Sequence, residues 1–171
     1  KENAGIEHHI GDSVVMLPPA NLNALFLLRH AAAHFAAVEI GLRHIIDWAL
    51  FVQNNYADID WSWLYGVARR HNMEKFLNCL NAISIEYFGL DSKILPEFER
   101  NTELECRVFN VILSPEFSEK LPSKGILRRL VFRYRRWWAN RWKHRIVYRE
   151  GLLRTFIVQI YSHLLKPKSL K

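Results

Sequence analysis

The chain has 171 residues, half of them hydrophobic and 13% aromatic, which suffices for one packed domain and argues against global disorder. No apolar run reaches the ~18 residues of a membrane span, and the polar start KENAGIEHHIGD does not read as a secretory leader, so membrane-embedded classes are set aside. The net charge of +7 hides an asymmetry: residues 123–171 hold fourteen Lys/Arg against Glu150 alone, whereas the remainder holds ten basic and sixteen acidic residues. A basic tail on an acidic body implies self-docking or an anionic partner.

Residues 1–20 read as an extended lead-in, in which SVVMLPP is a short strand or linker and Pro18-Pro19 halts any helix. Asn21 is placed to cap a helix over Leu22–Val38, with Leu22, Leu25, Phe26 and Phe35 at helical spacing. Gly41 permits a break before a second helix, Leu42 to about Val52. Asp60 is placed to cap Trp61–His71, and a further helix, Met73–Phe88, ends at a C′ glycine, Gly89. After the irregular LDSKILPEFE, Thr102 and Glu105 suggest a capping box opening a helix to Leu113. SPEFSEKLPSK breaks the chain before a long basic helix from Ser123 to Trp142 or beyond, and Gly151–Leu165 makes the last helix before Pro167. With almost no strand-like alternation, the fold class is all-α: an irregular bundle of about six or seven helices. The expected division is a linker or remnant of an upstream domain at 1–20, a helical core at 21–122, and a basic helical segment at 123–171 packed on that core.

Chemistry-bearing residues concentrate in RHAAAHFAAVEIGLRHIID. His30 and His34 share a helical face at a spacing that chelates metals. A metalloprotease helix needs Glu after the first His, and Ala31 stands there, so no metal is assigned. Arg43 and Asp47 form an i,i+4 pair. Their apolar neighbours Leu42, Ile46 and Trp48 predict a buried clamp between the first two helices, while a guanidinium also suits a ligand phosphate. Asp58-Ile59-Asp60 lacks the strand of a D-x-D metal site, and capping accounts for Asp60. Cys79 and Cys106 have no CxxC partner and read as buried free thiols in a reducing, cytoplasmic setting.

In RRLVFRYRRWWANRWKHRIVYR, the cations Arg135, Arg136, Arg141 and Lys143 alternate with Trp137, Trp138 and Trp142. Such a segment contacts phosphates and stacks on bases, or lies on a membrane surface. Alternatively it is an amphipathic helix whose Leu127, Leu130, Val131, Tyr134, Trp138 and Trp142 pack on the acidic body. No P-loop, GxGxxG, GxSxG or Cys–His set is present, so no catalytic residue is assigned.

NALFLLRHAAAHFAAVEIGLRHIIDWALFV followed by IDWSWLYGVARRHNMEKFLNCLNAISIEYFG resembles the helical C-terminal half of an uncharacterised nucleotidyltransferase family common in Bacteroidetes. The shared pattern is F-x-L-x-x-H-x-x-x-H, a spacer, then G-[IL]-x-[IL]-R-x-x-x-D-W. Here it falls on Phe26, His30, His34, Gly41, Leu42, Arg43, Asp47 and Trp48, with Ile40 where the family often has Gly-Ile-Gly. The resemblance implies an upstream catalytic domain, with a Gly-Ser turn and metal-binding carboxylates, of which this chain shows only the connection EHHIGDSVVMLPP. It further implies that Mg²⁺ with an NTP belongs to the parent protein and no cofactor to this chain. On that view the chain is an accessory helical domain forming one wall of a nucleotide cleft, lined or braced by His30, His34, Arg43 and Asp47. The competing readings are a nucleic-acid-binding module using the basic tail, and a stand-alone metalloenzyme using His30, His34 and Asp47.

Overall fold

The computed structural model describes residues 6–37, 40–114 and 126–148. Among them a small antiparallel hairpin, β1 (Ile6–Ile10) and β2 (Ser13–Leu17), precedes six α-helices. These are α1 (Ala20–Ala37), α2 (Leu42–Asn55), α3 (Trp61–Arg70), α4 (Glu74–Phe88), α5 (Thr102–Leu113) and α6 (Ile126–Val147), with one 3-10 turn at Ser92–Ile94. The bundle is all-α, as its hydrophobic spacing predicts. Of the two readings of SVVMLPP, strand or linker, the structure has a strand over Ser13–Leu17, paired Ile6 to Leu17 through Ile10 to Ser13. Gly11 turns the hairpin at φ 59°, a conformation glycine adopts without a Cβ clash.

Helix α4 is the centre. Every residue from Phe76 to Ser84 is buried, which is how a helix wrapped on all sides looks. It packs against α2, α3, α5 and α6, and α1 closes the bundle against α2, α3 and α6. The inward stripe of α1 is Ala24, Leu28, Ala31, Ala32 and Phe35. Its alanines let neighbouring backbones approach closely, and Phe35 meets Phe76 at 5.0 Å and Trp142 at 5.6 Å between ring centroids.

A buried polar clamp does cross the core, made of residues other than those expected. The Trp48 indole N–H donates to Asn81 Oδ1 at 3.0 Å, and Asn81 Nδ2 donates to the Tyr65 hydroxyl at 3.2 Å. Three helices, α2, α4 and α3, are thereby joined at one side chain. Burial pushes the Tyr65 phenol up to about 12, although the Asn81 hydrogen bond pulls the other way, so the hydroxyl stays protonated.

Helix ends follow local chemistry. Asp60 caps α3 by accepting from the Trp63 N–H at 2.9 Å, and Gly89 at φ 70° ends α4, both as expected. Asn21 does not cap α1, which begins a residue earlier at Ala20 on Pro18-Pro19; its Oδ1 instead accepts from the Asp60 N–H at 2.6 Å. The capping box of α5 is shifted by one: Asn101 Oδ1 accepts from Leu104 N–H at 3.0 Å, and Glu105 reciprocates by accepting from Asn101 N–H at 2.8 Å. Asn72, at φ 60° between α3 and α4, donates to the carbonyls of Arg145 at 2.6 Å and Tyr148 at 2.9 Å. It thus gives carbonyls at the C-terminal end of α6 a side-chain donor and pins that helix to the core. The expected helix at Gly151–Leu165 and the start at Ser123 lie outside the described residues.

Candidate functional site

The inward stripe of α1 forces His30 and His34 onto the opposite, outward face, one turn apart. On α2 the core residues Ile45, Trp48 and Val52 fix the helix so that His44, in its first turn, comes back against the last turns of α1. The three imidazoles form a triangle, with ring centroids 4.5 Å apart for His30–His34, 4.6 Å for His34–His44 and 5.4 Å for His30–His44. One ring nitrogen from each lies within 4.8 Å of the others; His30 is exposed, and His34 and His44 are half-buried. Phe26 extends the row, stacked on His30 at 5.5 Å with an interplanar angle of 13°.

His44 is held by the residue just before its helix. Its Nδ1 lies 3.2 Å from both the N–H and the carbonyl oxygen of Gly41. One imidazole tautomer accepts from that N–H and the other donates to that carbonyl. Burial, helped by His34 and His30, pushes the His44 pKa down, against the Gly41 hydrogen bond and Asp47, which pull it up. The ring therefore favours the neutral, lone-pair-bearing form.

Two expectations about this stretch need correction. Arg43 and Asp47 pair at 3.6 Å, but their side chains are 89% and 49% exposed, so they are no buried clamp. Gly41 starts α2 at a point where the Ile45–Trp48–Val52 stripe turns inward, and positions 43 and 47 then fall outside. Phe26, expected on the apolar stripe, is 61% exposed on the histidine face. The spacing of His30 with His34 signalled the site; His44 was missed because it follows a helix break and only the antiparallel α1–α2 hairpin brings it in.

The basic helix departs from its expectations as well. Lys143 is fully buried, with its ammonium 5.5 Å from the centroid of the Phe35 ring, and so is no contact for an anionic partner. The rotation of α6 is set by Phe132, Ile146 and Val147, which face the core, while Val131, Tyr134 and Trp138 point outward instead of inward. Arg135 is exposed, and Arg141 lays its guanidinium 4.0 Å over Trp138 and donates to the Trp138 carbonyl at 3.1 Å. Trp142 is half-buried under Arg107 at 3.9 Å. The side chains of Arg136, Trp137, Leu127 and Leu130 lie outside the described residues. Cys79 is buried, its thiol pushed up to about 12 by burial, whereas Cys106 is exposed; both are free. No helix among the described residues is long and apolar enough to cross a membrane.

A family model described as an uncharacterised nucleotidyltransferase matches residues 4–89, half of the chain, and covers the hairpin, the histidine triangle and α1 to α4. No curated protein and no solved structure matches. On that match, the chain belongs to the uncharacterised nucleotidyltransferase family.

Proposed function

We propose that this chain is the helical part of a nucleotidyltransferase and that the outward face of the α1–α2 hairpin forms one wall of its nucleotide cleft. The observation that carries the reading is the row Phe26–His30–His34–His44, exposed at Phe26 and His30 and half-buried at His34 and His44, with the exposed Arg43 beside it, inside the family-matched half. An exposed aromatic ring is a stacking platform for a base. A guanidinium paired to a solvent-exposed carboxylate is available to a phosphate. Mg²⁺ and the carboxylates that hold it belong, on this reading, to a catalytic domain upstream. The hairpin supports that arrangement: Ile10, Val14, Val15, Met16 and Leu17 are all exposed, and among the described residues it forms a sheet of two strands, which is marginal in water by itself.

The test is calorimetric titration of each NTP with Mg²⁺ into the protein carrying its upstream residues, with Phe26→Ala and Arg43→Ala variants. Each substitution is expected to weaken binding at least fivefold, about 1 kcal/mol, the low end for a base stack and less than a charged hydrogen bond contributes. Unchanged affinity in both variants refutes the placement of the cleft.

A second reading is favoured by one observation on α6. Tyr134 and Trp138 are exposed and stacked at 6.2 Å, with Arg141 over Trp138. That basic aromatic surface suits single-stranded nucleic acid. Filter binding with RNA and DNA at two salt concentrations tests it; binding at neither removes it.

A further inference from the structure

We propose that His30, His34 and His44 form a binding site for one transition-metal dication of the zinc class, with its fourth coordination position open to solvent or a ligand oxygen. This goes beyond the nucleotide reading and stands independently of it, because it needs only groups present in the chain.

The geometry carries the inference. Three imidazole nitrogens lie within 4.8 Å of one another. A tetrahedral zinc site with bonds of ~2.0–2.1 Å needs its ligands ~3.3 Å apart, a difference that small rotations of the three rings close. Two ligands come from an i,i+4 pair on one helix and the third from the first turn of its antiparallel neighbour, so no loop has to be ordered to assemble the set. The outer-shell contact is already present. The Gly41 carbonyl lies 3.2 Å from His44 Nδ1, and in the tautomer whose Nδ1–H donates to it, Nε2 keeps its lone pair for the metal.

Ligand chemistry selects the ion class. Imidazole suits zinc, copper, nickel and iron, whereas Mg²⁺ and Ca²⁺ require oxygen donors and octahedral or larger shells. Three protein ligands with one open position is the pattern of a site that engages a further molecule rather than a purely structural one. His30 is exposed, so that position opens outward, on the face that also carries Phe26. An anion is the less suitable occupant. An anion site needs protonated imidazoles, and three like charges at ring separations of 4.5, 4.6 and 5.4 Å repel one another.

The deciding experiment uses the whole chain, made without a polyhistidine tag and purified without chelators. Zn²⁺ titrated by calorimetry is expected to bind one per chain, and Co²⁺ to give the intense visible absorption of a four-coordinate site. His30→Gln, at an exposed position, is expected to lower Zn²⁺ affinity at least tenfold with an unchanged circular-dichroism spectrum. His44→Ala is expected to do the same, but its ring also braces Gly41, so His30→Gln is the variant that keeps the test clean of folding effects. His71→Ala, at the exposed turn after α3, is expected to retain the wild-type affinity. Absence of one-to-one binding, a weak six-coordinate Co²⁺ spectrum, or wild-type affinity in His30→Gln each overturns the proposal. Nucleotide binding by the Arg43 and Phe26 variants is read separately, so failure of either idea leaves the other to stand on its own result.

Discussion

Replacing Asn81 by Ala removes the side chain that joins α2, α3 and α4. Asn81 is fully buried and makes two hydrogen bonds, accepting from the Trp48 indole and donating to the Tyr65 hydroxyl. Truncation leaves both partner groups in the core without those bonds, at ~1–3 kcal/mol for each. Allowing some relaxation and a small cavity, the expected loss is about 3 kcal/mol, or a factor of roughly 150 in the folding equilibrium. Urea unfolding followed by tryptophan fluorescence reads this directly. With a slope of about 2 kcal/mol per M, the midpoint falls by about 1.5 M. Asn81→Leu separates the causes, since it fills the volume and still leaves both groups unpaired; it should cost nearly as much as Ala. A Trp48→Phe, Asn81→Leu cycle should then show a coupling of about 1 kcal/mol or more. An Asn81→Ala protein within ~0.5 kcal/mol of wild type, or full recovery by Leu, refutes the claim that directed hydrogen bonds hold this junction.

Glu105 offers a pH test. Burial alone would raise its carboxyl, but paired hydrogen bonds from Arg100 at 2.8 and 2.9 Å and one from the Asn101 N–H outweigh it and hold the pKa below 4.5. A lowered folded-state pKa means stability that is present above the unfolded value and lost as pH falls through the folded one. Glu105→Gln is therefore expected to cost ~1–3 kcal/mol at neutral pH and to flatten the decline in stability below about pH 4.5, measured by urea midpoints across that range. Lys143→Ala is expected to destabilise by ~1–3 kcal/mol through lost packing of its buried stem, without changing the salt dependence of any nucleic-acid binding. A loss of binding with no loss of stability would contradict the buried position.

The helices were legible because their ends carry local signals: Asp60 before Trp61, Gly89 after Phe88, and the apolar spacing between. Periodicity was less informative about which face points inward. Alanine-rich α1 has weak contrast between its sides, so Phe26 and Leu22 read as core although both are exposed. On α6 arginines and aromatics alternate, and Val131, Tyr134 and Trp138 took the place that Phe132, Ile146 and Val147 occupy. Neighbouring apolar residues likewise made Arg43 and Asp47 look buried, because sequence adjacency says little about helix faces. The true polar clamp, Trp48–Asn81–Tyr65, spans 33 residues in sequence and joins residue types that each have ordinary surface uses. The third histidine had one local signal, its place in the first turn after Gly41, directly beside the pair-forming Arg43.

The clamp and the histidine triangle are mechanically one unit. His44 and Trp48 are one helical turn apart on the same side of α2, so the packing that seats Trp48 in the core also sets where the half-buried His44 stands. Each histidine is also followed by a residue with almost no solvent contact: Ala31 after His30, Phe35 after His34, Ile45 after His44. Core packing therefore fixes all three Cα positions before any ligand arrives, and the ordering left to binding is rotation of three rings. Such preorganisation lowers the entropic cost of capture. It also gives Asn81→Ala a second consequence: a looser seat for Trp48 should weaken Zn²⁺ binding from the far side of the helix, while His30→Gln weakens it with no change in the urea midpoint. Affinity that falls together with stability in Asn81→Ala, but alone in His30→Gln, would distinguish a rigidly supported site from three surface histidines that happen to meet.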